Sequence, residues 1–252
     1  MTIRLLILVL TVGFSIQSFA NDEAKRILFV GNSFSYFNNG LHNHTANLVR
    51  GNNQWQVRKD RFRLLTLSAG RFREQVHLVE PILSTSRKKW DYVVLQAHSR
   101  TPLLAEEKSN FSKLSKELIS VVRDHGAQPV LFMTWAYKNS PEMTKGLYEA
   151  YKKVADAEGV RLVPVGLAFE KIQRDYSEID LYVRDFNGTE NGELVYKKAI
   201  KHPSLAGTYL AACVFYASFY GASPEGNAYS AGLSEDVART LQKVAWEIVS
   251  KH

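Results

Sequence analysis

Four short stretches of the chain carry side chains that could act together on a carbonyl. Gly31-Asn32-Ser33-Phe34-Ser35 sets a serine hydroxyl just past an apolar run. Ser68-Ala69-Gly70 offers a glycine amide that can approach closely, and Gln96-Ala97-His98-Ser99 a side-chain amide. A hydroxyl with such donors around it is a nucleophile with an oxyanion pocket. The base is far downstream, where His202-Pro203-Ser204-Leu205-Ala206-Gly207 holds an imidazole before a helix that Pro203 can start at its first position. If the closing helices pack beside the first strand, that imidazole reaches the Ser33 hydroxyl and takes its proton during attack.

The elements that must bring these stretches together read as alternating strands and helices. Apolar runs predict strands over 27–31, 62–68, 92–96, 130–134 and 162–165, each expected to be buried on both faces. Helical patterns fill 40–51, 71–84, 106–125, 141–158 and 167–176, and two more close the chain over 203–220 and 234–250. Repeated β-α order predicts a parallel sheet with helices on both faces, and ligands then bind beyond the carboxyl ends of the strands. No repeat or linker divides the pattern, so residues 21–252 are expected to form one domain. Residues 177–201 are irregular, with Asn187-Gly188 and Asn191-Gly192 turns, and predict an ordered functional loop or a mobile flap.

Composition narrows the function. Hydrophobic residues at 45% and charged residues at 23% are ordinary for a globular chain and exclude disordered, collagen-like and coiled-coil classes. The net charge of +7 is scattered in pairs such as Lys88-Lys89 and Lys197-Lys198, without aromatic interleaving, which argues against nucleic acid. A basic surface would also suit anionic polysaccharide or a membrane surface, although solubility explains it more simply. Arg4, the apolar stretch 5–14 and Ser18-Phe19-Ala20 have the layout of a secretory leader over 1–20, cleaved after Ala20. The expected location is secreted or periplasmic, with no stable membrane insertion once the leader is gone. Cys213 is the single cysteine and lies in an apolar run, so it reads as a buried small hydrophobe. His42 and His44 have no third ligand at telling spacing and read as exposed helix polarity, so no metal is expected.

The four stretches resemble, in this order, the sequence blocks of the SGNH/GDSL hydrolases, and the resemblance spans nearly all of the mature chain. It implies a three-layer α/β/α fold around a flavodoxin-like, five-stranded parallel sheet. By the same resemblance Ser33 is the nucleophile, Gly70 an oxyanion donor beside the Ser33 amide, and His202 the base. Gln96 stands where the family usually has an asparagine, in a Leu-Gln ending found in one bacterial branch, and is assigned as the third donor. One position departs: three residues before the histidine, where the family has its aspartate, this chain has Ala199. Loss of that carboxylate could cost several powers of ten in turnover, and Lys201 beside the imidazole disfavours its charged form. Asp185 is a candidate replacement, with Asp180, Glu190, Glu193 or a backbone carbonyl as the alternatives.

These readings converge on a secreted serine esterase that needs no cofactor. A small-molecule or polysaccharide ester is the expected substrate, with acetyl groups on carbohydrate first. Two rivals stay open. A carbohydrate-binding protein could keep the pocket without turnover, and an acyltransferase would pass the acyl group to a sugar hydroxyl instead of water.

Overall fold

The structure, a computed structural model, describes residues 24–252, so the expected leader and its cleavage point lie outside the described residues. Five strands form the central sheet: β1 (Arg26–Gly31), β2 (Arg61–Thr66), β3 (Tyr92–Leu95), β4 (Gln128–Phe132) and β5 (Arg161–Val163). Their order is β2-β1-β3-β4-β5 and every pairing is parallel. The three-layer arrangement and strand count are those expected, with strand boundaries moved by at most two residues.

Alternation along the strands divides the core in two. Ile27, Phe29, Tyr92, Val94, Val130 and Phe132 pack on one face against α2 (Leu41–Gly51), α6 (Val165–Asp175), α7 (Leu205–Tyr220) and α8 (Glu235–Val249). Leu28, Val30, Val93, Leu95 and Leu131 pack on the other against α3 (Phe72–Thr85), α4 (Lys108–Asp124) and α5 (Met143–Glu158). Helix α7 is apolar on every side because it is buried on every side, with Cys213 fully enclosed and its thiol pushed up by that burial. Among the described residues, no helix is long and apolar enough to cross a membrane.

Three features differ from the reading of the sequence. Strand β2 is an edge, so Arg61 and Arg63 are exposed instead of flanking a doubly buried strand. A one-turn helix, α1 (Ser33–Tyr36), follows β1; four residues are too few to leave a periodic signal. The irregular stretch after α6 is built from short strands. Strand β6 (Tyr182–Val183) pairs antiparallel with β9 (His202–Pro203), and β7 (Phe186–Glu190) with β8 (Glu193–Tyr196) makes a hairpin turning at Asn191 and Gly192, both at positive φ. Pro203 therefore belongs to β9 and does not open α7; Ser204 caps that helix, its hydroxyl accepting from the Gly207 amide at 3.2 Å.

Candidate active site

Ser33 leaves the end of β1 as the first residue of α1. Asn32 makes that abrupt turn possible, because its side-chain oxygen accepts from the Phe34 amide and caps the helix. Its side-chain amide donates to the Gly70 carbonyl at 3.1 Å, tying the β1 end to the segment after β2.

His202 arrives from β9. Its Nε2 lies 2.8 Å from Ser33 Oγ, and its Nδ1 lies 2.5 Å from Asp185 Oδ1. A carboxylate only accepts, so Nδ1 carries the proton and Nε2 is left to accept from the serine. Sequence neighbours do not create this contact. The pairing of Tyr182 with Pro203 and Val183 with His202 brings Asp185, two residues further on, to the ring, and the Lys197 amide donates to the Asp185 carbonyl at 2.8 Å, closing the loop behind it.

The imidazole is held on several sides. Phe37 stacks on its face, with centroids 4.3 Å apart and 8° between planes, and Phe34 meets it edge-on. Trp135, fully buried and stacked between Phe34 and Phe169, donates through Nε1 to the Lys201 carbonyl at 2.9 Å and so holds the backbone before His202. Asn38 donates to the Pro203 carbonyl and to Thr208 Oγ1 at 2.9 and 2.8 Å. His44 in turn holds Asn38, donating from Nε2 to its carbonyl at 2.6 Å while Nδ1 accepts from the Tyr229 hydroxyl. His44 is buried in that role, not the exposed helix residue expected, and nothing in its own spacing signalled a partner at position 229.

Burial pushes the His202 pKa below the ordinary imidazole value, and the positive charges of Lys201 and Lys197 add to that effect. The Asp185 hydrogen bond and charge oppose it. Asp185 Oδ2 is buried without a hydrogen-bond partner among the described residues.

The expected oxyanion donors are arranged differently from the expectation. Among the described residues the Ser33 amide, first in α1, has no acceptor and is free to serve. The Gly70 amide donates to the Leu67 carbonyl at 2.9 Å within a turn that passes through Ala69 at φ +55°. Gln96 is fully buried, and both hydrogens of Nε2 are used, on Asn32 Oδ1 at 2.7 Å and the Ala97 carbonyl at 3.0 Å. Its Oε1 accepts from the Asn32 amide and from Ser35 Oγ. Gln96 thus braces the Asn32 turn across the sheet instead of facing the hydroxyl, and a side chain on Gly31 would collide with it. Of the alternative acids, Asp180 pairs with Lys138 at 2.7 Å, and Glu190 and Glu193 sit exposed on the hairpin. His98 is half-buried, with Nδ1 enclosed and without a hydrogen-bond partner among the described residues.

No protein-family profile matches the sequence, and no curated protein is significantly similar to it. Solved structures are similar in fold. A DUF4886 family protein from Bacteroides uniformis superposes at a TM-score of 0.64 and 18% identity, covering 90% of this chain and 95% of its own. A Slackia heliotrinireducens protein assigned by inference to the SGNH hydrolases gives 0.56 and 24%, over 77% of this chain and 97% of its own. An acetyl xylan esterase, AlAXEase, gives 0.54 and 14%, over 74% and 95%. The fold is the SGNH hydrolase fold.

Proposed function

We propose that the chain is a serine esterase in which Ser33, His202 and Asp185 form the catalytic triad. The observation that carries the reading is the continuous hydrogen-bonded line from Ser33 Oγ through both ring nitrogens to Asp185 Oδ1, at 2.8 and 2.5 Å. Asp185 supplies from another position the carboxylate that Ala199 lacks, which favours turnover over a binding-only descendant.

The chemistry follows from who holds which proton. Asp185 fixes the ring with Nδ1 protonated, so Nε2 accepts the hydroxyl proton as Ser33 Oγ bonds to the ester carbon. The Ser33 amide donates to the oxygen that becomes negative. Collapse breaks the ester C–O bond, His202 returns its proton to the departing alcohol, and an acyl-serine remains. A water then adds, its proton passing to Nε2 and back to Ser33, and the free acid leaves.

Export to a secreted or periplasmic location, one catalytic domain over 21–252 and an acylated, especially acetylated, carbohydrate as substrate belong to the same proposal. The fold shared with an acetyl xylan esterase is consistent with that substrate. Purified protein is incubated with 4-nitrophenyl acetate beside its Ser33→Ala variant. Release of 4-nitrophenol above the variant's background supports the esterase, and equal rates would remove it. Repeating the assay with a sugar acceptor separates hydrolysis from transfer, because a transferase yields acylated sugar.

A further inference from the structure

A second concave surface lies away from the triad, along the β2 edge beside the end of α3. It encloses about 720 Å³ and draws six cations from four parts of the chain: Arg26, Arg58, Arg61, Arg63, Arg87 and Lys88. Among the described residues none of the six forms an ion pair with a carboxylate. The single acid in its wall, Asp60, accepts from the Gln56 amide and keeps its other oxygen buried without a hydrogen-bond partner. Asp91 lies behind Arg26, receiving the Lys25 and Arg26 backbone amides.

Like charges have been brought together here at a cost. The guanidiniums of Arg26 and Arg61 lie 5.3 and 5.8 Å from the centre of one ring, Trp90. Arg26 is also fastened by donation to the Lys88 and Lys89 carbonyls, and burial and the neighbouring Arg61 hold its pKa below the usual guanidinium value. Arg58 adopts φ +69°, a conformation unfavourable for a residue with a side chain. Two exposed arginines on an edge strand would be ordinary protection against sheet pairing. That purpose does not require four further cations converging on the same hollow.

We propose that this groove binds an anionic oligosaccharide, a glycan chain bearing carboxylate or sulfate groups. The planar guanidinium forks of Arg58, Arg61, Arg63 and Arg87 suit oxyanions that accept two hydrogen bonds side by side, while Arg26, fastened to the two backbone carbonyls, adds its charge. Arg61 and Arg63 share one face of β2 about 6.6 Å apart, a spacing for charges repeated along a chain and too wide for one carboxylate. The single aromatic ring in the wall, Trp90, is 5% exposed beneath the two arginines, leaving no face for a nucleobase to stack upon. Ile82 in the wall and Val57 beside Arg58 are exposed apolar side chains, so a lipid surface is kept as a competing probe in the test below. Strand β2 runs from Arg61, beside Arg26, to Thr66, beside Gly31 and two residues short of Ser33. A chain lying along the groove therefore points toward the catalytic end of the sheet. The binding claim stands apart from ester hydrolysis.

The test measures fluorescence anisotropy of labelled galacturonic acid and heparin octasaccharides with the mature protein, which distinguishes carboxylate from sulfate. A DNA octamer and phosphatidylglycerol vesicles serve as competing probes. At least one octasaccharide is expected to bind in a salt-sensitive manner. Arg61→Gln/Arg63→Gln weakens it by about tenfold or more, with a shallower salt dependence, whereas Lys153→Gln/Lys243→Gln changes it less than about twofold. Melting is followed in parallel, and Ser33→Ala is expected to bind as the parent does, so a failed esterase assay leaves this result readable. Equal losses in the two double variants, tighter binding of DNA or vesicles, or no binding of either octasaccharide would overturn the assignment.

Discussion

Asp185 Oδ1 lies 2.5 Å from His202 Nδ1 although 17 residues of chain separate the two. The short β6–β9 pairing makes the contact, by folding the segment before the hairpin alongside the strand that ends at Pro203. The carboxylate thus reaches the ring by backbone pairing and not from the position three residues before the histidine, where this chain has Ala199.

Asp185→Asn keeps the shape but lets the ring adopt the wrong tautomer, so kcat for 4-nitrophenyl acetate is expected to fall by about 10⁴-fold. Asp180→Asn, which removes the charge paired with Lys138, is expected to lower it less than about tenfold. The comparison is read from initial rates.

The pH profile follows from the depressed His202 pKa. The free base must be neutral to take the serine proton, so a lower pKa keeps the enzyme active to lower pH. The acid limb of kcat/KM is expected below 6.5, the ordinary imidazole value. Lys201→Gln removes one of the two cations that lower it, while Asp185 and Lys197 remain, so the limb moves to higher pH. A limb that stays put or moves down would contradict this electrostatic account.

Gln96→Ala strands the Asn32 amide and Ser35 Oγ in the interior and leaves the Asn32 side-chain oxygen with the Phe34 amide alone. Each unmet buried group costs about 1–3 kcal/mol, so both the denaturant midpoint and kcat are expected to drop together. Loss of kcat with unchanged stability would indicate instead that Gln96 contacts the oxyanion directly.

Asn38 sits at φ +52° and holds both Pro203 and Thr208. Asn38→Ala loses the hydrogen bonds and adds backbone strain of about 1–2 kcal/mol. Asn38→Gly loses only the hydrogen bonds and relieves the strain. Both are expected to lower kcat more than they change KM, with the alanine variant the less stable by thermal melting.

The sheet was legible because strands such as Tyr92–Leu95 are apolar throughout, and parallel pairing buries them on both faces. The edge position of β2 was not, since Phe62-Arg63-Leu64-Leu65 resembles an interior strand until its neighbours are known. Ser33 and His202 could be read from their blocks. Asp185 could be singled out as a candidate among four acids but not set against the ring, because its contact with His202 depends on a two-residue strand pairing that leaves no periodicity. Gln96 and Gly70, expected as oxyanion donors, have other partners in the structure for a related reason: residue type reveals a donor but not the acceptor already beside it. The Asn38, His44 and Tyr229 support joins positions 191 residues apart at its extremes and has no local signature.

The central claim is that Ser33 becomes acylated with His202 as its base. Intact-mass measurement after quenching the protein with 4-nitrophenyl acetate, followed by peptide mapping, tests it most directly. A single acetyl group on the peptide holding Ser33, absent from Ser33→Ala and formed far more slowly in His202→Ala, is the predicted result. An acetyl group that maps to another side chain, or that forms equally fast without His202, would contradict the account.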